Sequence, residues 1–173
     1  GLGGYCRGDG KWCLQGFHGL VDIERRPRFH RMSFSGGVLA GLRMLGEFQS
    51  LLWLLAEVSH RVTRLDAALD VDEKGPQAVE RLRALYPQHV QLSHKPIGVQ
   101  SLLSRYRNGE ETGTWYAGHR SRARVTARVY DKAHQMYEKY REEWPPTTRY
   151  EITLRADVRP SLRDAWEPAP AFW

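Results

Sequence analysis

Tyr130 stands in the run "TARVYDKAHQMYEKY", Thr126 to Tyr140, with Arg128 before it and Asp131 and Lys132 after it. At this tyrosine a strand-like alternation gives way to helix-like spacing. A phenol held there can act as a nucleophile if its proton, bound with a free pKa of about 10, is made easier to lose. Arg128 and Lys132 bring positive charge for that purpose. Three carboxylates, Asp66, Asp70 and Glu151, lie in the arginine-bearing segments "RLDAALD" and "RYEITLR". Carboxylates in such surroundings suit a hard divalent cation, Mg²⁺ or Mn²⁺. The cation would polarise a phosphate oxygen. The guanidinium forks of Arg64, Arg128 and Arg149 match the remaining phosphate oxygens. The chemistry these residue types support is covalent catalysis by tyrosine on a phosphodiester.

Such a site needs a scaffold, and the alternation around these residues provides one. In a strand, alternate side chains share a face. In "RLDAALDV", Leu65, Ala67, Leu69 and Val71 form an apolar side, and Arg64, Asp66, Ala68 and Asp70 oppose it. Val125, Ala127 and Val129 are likewise opposed by Thr126, Arg128 and Tyr130. Tyr150, Ile152 and Leu154 are opposed by Arg149, Glu151, Thr153 and Arg155. "TWYAG" adds Tyr116 to the polar side. A sheet with helices on one side leaves its other side wet, and a wet side is polar for that reason alone, so alternation does not by itself make this face a site.

Between these strands the spacing predicts helices. They are a long leucine-rich helix after Gly37, a second in "GPQAVERLRALYPQ" bounded by Pro76 and Pro87, and a third in "AHQMYEKYREEW". The third would pack Tyr137 and Tyr140 onto the sheet. "KWCLQGFHGLVDIE" reads as an extended hairpin, "RRPRFHR" as a basic loop suited to DNA, and "HVQLS" as a short strand. The expected class is α+β: a large, mostly antiparallel sheet backed by helices on one face. No internal boundary is visible, so residues 1–173 read as one catalytic domain. Beginning at Gly1 without an initiator Met, it reads as a fragment of a longer protein.

Composition narrows the partner. Lys and Arg number 26 against 20 acids, a net charge of +6, with six Trp and eight Tyr. A basic, arginine-rich and aromatic-rich chain suits nucleic acid. "HRSRAR" places Arg120, Ser121, Arg122 and Arg124 between two of the predicted strands, well placed for phosphate contacts. Tyr116, on the Tyr130 face, suits base stacking. Cys6 and Cys13 are read as reduced thiols, and no ligand spacing for zinc accompanies them. No run is apolar for long enough to cross a bilayer, and no membrane partner is expected.

The blocks "RLDAALD", "TWYAGHRSRARVTARVYDK" and "RYEITLR" resemble, in order and spacing, those of the replication initiation factors, the Rep-trans family. Its members include rolling-circle plasmid initiators, filamentous-phage initiators and relaxases of integrative elements. The matching positions are Arg64, Asp66 and Asp70; Thr114, Tyr116, Gly118, Arg120 and Ser121; Arg128, Tyr130, Asp131 and Lys132; and Arg149 and Glu151. The resemblance implies an origin-nicking enzyme in the cytoplasm of a bacterial host cell. It would be joined to the 5′ phosphate through Tyr130 and leave a free 3′ hydroxyl. It implies a divalent metal on Asp66 and Glu151, with Asp70 as a third candidate. It also implies origin DNA as a single strand or hairpin, a host helicase and a homodimer as partners, and ferredoxin-like halves in the fold. His89 and His94 do not have the spacing of a His-hydrophobic-His metal motif. Two other readings stay open: a non-catalytic DNA-binding regulator on the same scaffold, and a ferredoxin-like RNA-binding module.

Overall fold

Alternation of the kind read above builds two separate sheets. The computed structural model describes residues 3–6, 11–16, 19–90, 97–105, 111–119 and 123–167. The chain divides into two compact units, Gly1–His60 and Arg61–Trp173.

The first unit holds β1 (Gly3–Cys6), β2 (Lys11–Gly16), β3 (Gly19–Arg25) and β4 (His30–Phe34). They form a four-stranded antiparallel sheet in chain order. Its register opposes Cys6 to Trp12 and Cys13 to Tyr5, so the cysteines are not cross-strand partners. The expected long leucine helix is two helices, α1 (Gly36–Met44) and α2 (Phe48–Ala56), bent by 114°. The break falls at Gly46, whose φ of 74° lies in the left-handed region that ends helices. Ser35 caps α1 by accepting a hydrogen bond from the Val38 amide at 3.4 Å.

The second unit runs β5 (Arg64–Val71), α3 (Gly75–Leu85), β6 (His89–Val90), β7 (Ile97–Arg105), β8 (Glu111–Ala117), β9 (Val125–Asp131), α4 (Lys132–Tyr140), β10 (Thr148–Arg155) and α5 (Leu162–Trp166). Its six strands lie in the order β5-β10-β9-β8-β7-β6, all neighbours antiparallel. The last strand in the chain thus enters between β5 and β9. This is the α+β class expected. The unit's chain order up to β10 is β-α-β-β-β-β-α-β, two strands more between the helices than the β-α-β-β-α-β of a ferredoxin-like unit.

Helix α3 covers one face of this sheet. Ala78 and Val79 pack with Val90, Trp115, Ala117, Ala127 and Val129, and Leu82, Ile97, Val99, Tyr150 and Ile152 surround them. Burying each large apolar side chain here contributes about 1.5–3 kcal/mol. Leu69, read as part of the apolar side, is 48 % exposed. It lies on β5, the edge strand of this sheet.

The turn from β5 into α3 is pinned to the start of β10. Thr148, fully buried, donates from Oγ1 to the Glu73 carbonyl at 3.0 Å. Tyr150 donates to Glu73 Oε1 at 2.5 Å, and Arg81 donates to the Tyr150 hydroxyl at 3.0 Å. Burial, then the bond to Glu73, raises the Tyr150 phenol above its usual value. The first turn of α3 meets the end of β9 at Gly75, where an added Cβ would fall 2.3 Å from the Asp131 Cβ and 2.5 Å from its Cα.

Because that obstacle includes backbone, Gly75→Ala must push α3 and β9 apart. We expect a loss of about 1–3 kcal/mol, the usual range for overpacking, read from urea midpoints. Gly36→Ala meets nothing within 4 Å and should be neutral or stabilising by up to about 1 kcal/mol. Equal midpoints for the two variants would refute the close approach.

Candidate functional site

The face opposite α3 carries the residues singled out above, and cross-strand register aligns them. Residues directly opposed on neighbouring strands share a face. One row across the sheet is therefore Asp70, Arg149, Tyr130 and Thr114. The next is Ala68, Glu151, Arg128 and Tyr116. A third holds Asp66, Thr153 and Thr126, and beyond it Arg64 faces Arg155.

The charges on this face are paired. Arg128 Nη2 donates to the Glu151 carboxylate at 2.6 Å, with Glu151 only 7 % exposed. Arg149 forks onto Asp70 with bonds of 2.6 and 2.5 Å. Arg64 forks onto Asp66 at 2.9 and 2.7 Å. Arg128 Nε is buried and has no hydrogen-bond partner among the described residues. Leaving such a donor unmet costs about 1–3 kcal/mol, and a phosphate oxygen is an acceptor of the right kind.

Tyr130 is 8 % exposed, yet its hydroxyl lies among charges. Arg149 hydrogen-bonds it, and the Arg128 guanidinium carbon sits 5.2 Å from the ring centroid. Burial raises the phenol above its usual value, and Glu151 adds to that; Arg128 and Arg149 oppose the rise without overcoming it. The sequence-based expectation was that neighbouring cations would depress this phenol. They do not prevail here, because burial outweighs them and Glu151 adds to the rise.

The three acidic candidates converge only in part. Asp66 and Asp70 lie four residues apart on β5, about 13 Å at the usual strand rise, and so cannot share one ion. Glu151 is the diagonal neighbour of both. Among the described residues no group of three acids, histidines or cysteines gathers as a metal site. Each of the three carboxylates is held by a guanidinium group: Asp66 by Arg64, Glu151 by Arg128 and Asp70 by Arg149.

Lys132 opens α4 two residues beyond Tyr130. It donates to Gln135 Oε1 at 2.8 Å, and burial followed by Arg149 lowers its pKa. Tyr116 is half-buried on β8 beside Arg128, and Arg124 is exposed just before β9. Arg120, Ser121 and Arg122 lie outside the described residues. Tyr137 and Tyr140 do not pack onto the sheet as expected: they are 41 % and 53 % exposed, beside Arg141 and Lys139. Sequence reasoning missed Trp144, whose ring lies 5.9 Å from the Lys132 ammonium. An aromatic residue directly before the two prolines that lead into β10 was the available signal.

No protein-family model matches this sequence, and no curated protein matches it. Among solved structures, the chain is similar to the rolling circle replication initiator protein from Geobacillus stearothermophilus. The two share 19 % identity with a TM-score of 0.54, over 88 % of this chain and 62 % of that one. The likeness is one of fold, and this chain spans less than two thirds of its neighbour's length.

Two measurements test the electrostatics. Arg128→Met strands the buried Glu151 carboxylate and should cost about 2–4 kcal/mol, since removing one partner of a buried pair is strongly destabilising. Arg128→Met with Glu151→Gln should recover most of that loss; a double variant no more stable than the single would contradict the pairing. For Tyr130, a raised phenol means that the folded state holds its proton more tightly than the unfolded chain. The stabilisation is complete below pH about 10 and is lost as pH rises further. Relative to Tyr130→Phe, wild type should therefore lose stability as pH is taken from about 9 to about 11, and a difference constant with pH would be the contrary result.

Proposed function

We propose that this chain is the nicking and joining part of a rolling-circle replication initiator, with Tyr130 as the nucleophile. The observation that carries the reading is the position of the Tyr130 hydroxyl on a polar sheet face, between Arg149 and the Arg128–Glu151 pair. The fold likeness to an initiator supports it. In this reading a DNA phosphate enters the face and takes the donors of Arg128 and Arg149, including the unmet Arg128 Nε. The Tyr130 oxygen attacks phosphorus, the phenol proton departs, and an O–P bond forms to the 5′ side. The P–O3′ bond breaks, and the 3′ oxygen takes up a proton to become a hydroxyl. Glu151 and Asp66 would hold a divalent cation, Mg²⁺ or Mn²⁺, which when bound supplies Lewis-acid polarisation of the phosphate. Asp70 orients Arg149, and Lys132 adds positive charge at the mouth of the site. Tyr116 stacks a base, and Arg64 and Arg124, with Arg120, Ser121 and Arg122, hold the backbone. The DNA is an origin presented as a single strand or hairpin in the cytoplasm of a bacterial host cell. A host helicase and a second copy of the chain are the proposed protein partners.

One observation favours a second reading, a DNA-binding regulator without catalysis: all three candidate carboxylates are already engaged by guanidinium groups. One experiment separates the two. The protein is incubated with a randomised single-stranded DNA pool and Mg²⁺ or Mn²⁺, then resolved under denaturing conditions. An adduct that survives denaturation is expected. Tyr130→Phe should reduce it by on the order of 10⁴-fold or more, as loss of a nucleophile does, and a chelator should abolish it. Tyr137→Phe and Tyr140→Phe should leave it intact. An adduct persisting in Tyr130→Phe would reject the assignment, and no adduct under any condition would favour the regulator.

A further inference from the structure

The first unit carries a charged feature that the Tyr130 site does not use. Strands β3 and β4 pair from Val21–Phe34 to Arg25–His30. They are joined by Arg26, Pro27, Arg28 and Phe29, with the Arg26 amide bonded to the Phe29 carbonyl at 2.9 Å. Every residue from Arg25 to Ser33 is exposed. Arg25, Arg26, Arg28 and Arg31 crowd this end with His30 beside them, and among the described residues Arg26 is matched by an ion pair to Glu24 at 2.5 Å. Phe29 is 61 % exposed among them. Arg26, Pro27, Arg28, Phe29 and Arg31 line a surface cavity of about 410 Å³. Cations gathered at the tip of a ribbon repel one another, and leaving a large ring in water forgoes about 1.5–3 kcal/mol of burial. A polyanion with apolar edges answers both conditions.

We propose that this hairpin is a second nucleic-acid contact, seated in the major groove of B-form duplex DNA. That groove is about 12 Å wide and admits a two-stranded ribbon. Arg25, Arg28 and Arg31 meet phosphates along its walls, and Phe29 meets base edges, where a thymine methyl is its natural neighbour. The major groove of A-form RNA is deep and narrow and does not admit the ribbon. The contact is separate from the Tyr130 chemistry: it concerns duplex of any sequence, whereas that site takes an origin as a single strand or hairpin.

The test uses the full chain and a labelled DNA duplex of arbitrary sequence, with affinity followed against salt. Each phosphate contact contributes about 0.9 to the slope of log Kobs against log salt. Changing Arg25, Arg28 and Arg31 together to Gln should make the slope shallower by about 2.7. The same positions changed to Lys should keep it. Arg83, Arg159 and Arg163 changed together to Gln carry the same loss of charge elsewhere and should leave the slope unaltered. Phe29→Ala should weaken binding at every salt concentration without changing the slope. An unchanged slope in the Gln variant, an equal loss in the control triple, or a Lys variant that falls with the Gln variant would overturn the proposal. So would equal affinity for duplex RNA, or binding to phosphatidylserine vesicles in place of duplex DNA. The Gln variant should still form the Tyr130 adduct on a short single strand, so failure of one proposal leaves the other standing.

Discussion

A carboxylate that is nearly closed off from water must have a cation against it, and Glu151 imposes that condition on the whole polar face. Arg128 meets it at 2.6 Å. The guanidinium reaches only because β10 lies beside β9 with Glu151 directly opposite Arg128. The same register sets Arg149 opposite Tyr130 on one side and Asp70 on the other. One strand pairing therefore decides which charges are matched and what surrounds the tyrosine hydroxyl.

Burial dominates at Tyr130 and Glu151 adds to it, so the phenol holds its proton more tightly although Arg128 and Arg149 oppose this. A ligand bearing its own negative charge changes this balance. It competes for the guanidinium forks, and every fork it takes leaves a carboxylate in want of a positive partner. Such a ligand would rearrange the pairings of the face.

Much of this was legible in the sequence, because alternation and junction chemistry are local. The strands bearing Arg64, Tyr116, Tyr130 and Glu151 were readable, as were α3 and the turn into α4 at Tyr130. The polar side of each strand was assigned correctly. What could not be read depends on residues far apart in the chain. Strand order is the main example: nothing near Glu151 announces that it will face Arg128 and not solvent. The break between α1 and α2 rests on the backbone of a single glycine, Gly46, inside an otherwise continuous apolar pattern. Leu69 follows the apolar period but lies on an edge strand, so periodicity alone misplaced it. Tyr137 and Tyr140 sit late on a helix that leaves the sheet with its C-terminal end in water, and their spacing could not reveal that.

The late entry of β10 between β5 and β9 has a consequence for how the protein is made. Until Thr148–Arg155 has emerged, β5 and β9 each present an unpaired edge, and unpaired edges invite wrong partners. Pairings so distant in sequence are slow to form. On a ribosome the arginines of β5 and β9 would be complete well before the strand that brings Glu151. The polar face thus comes into being in a single late event, and a shortened translation product would lack the whole arrangement at once.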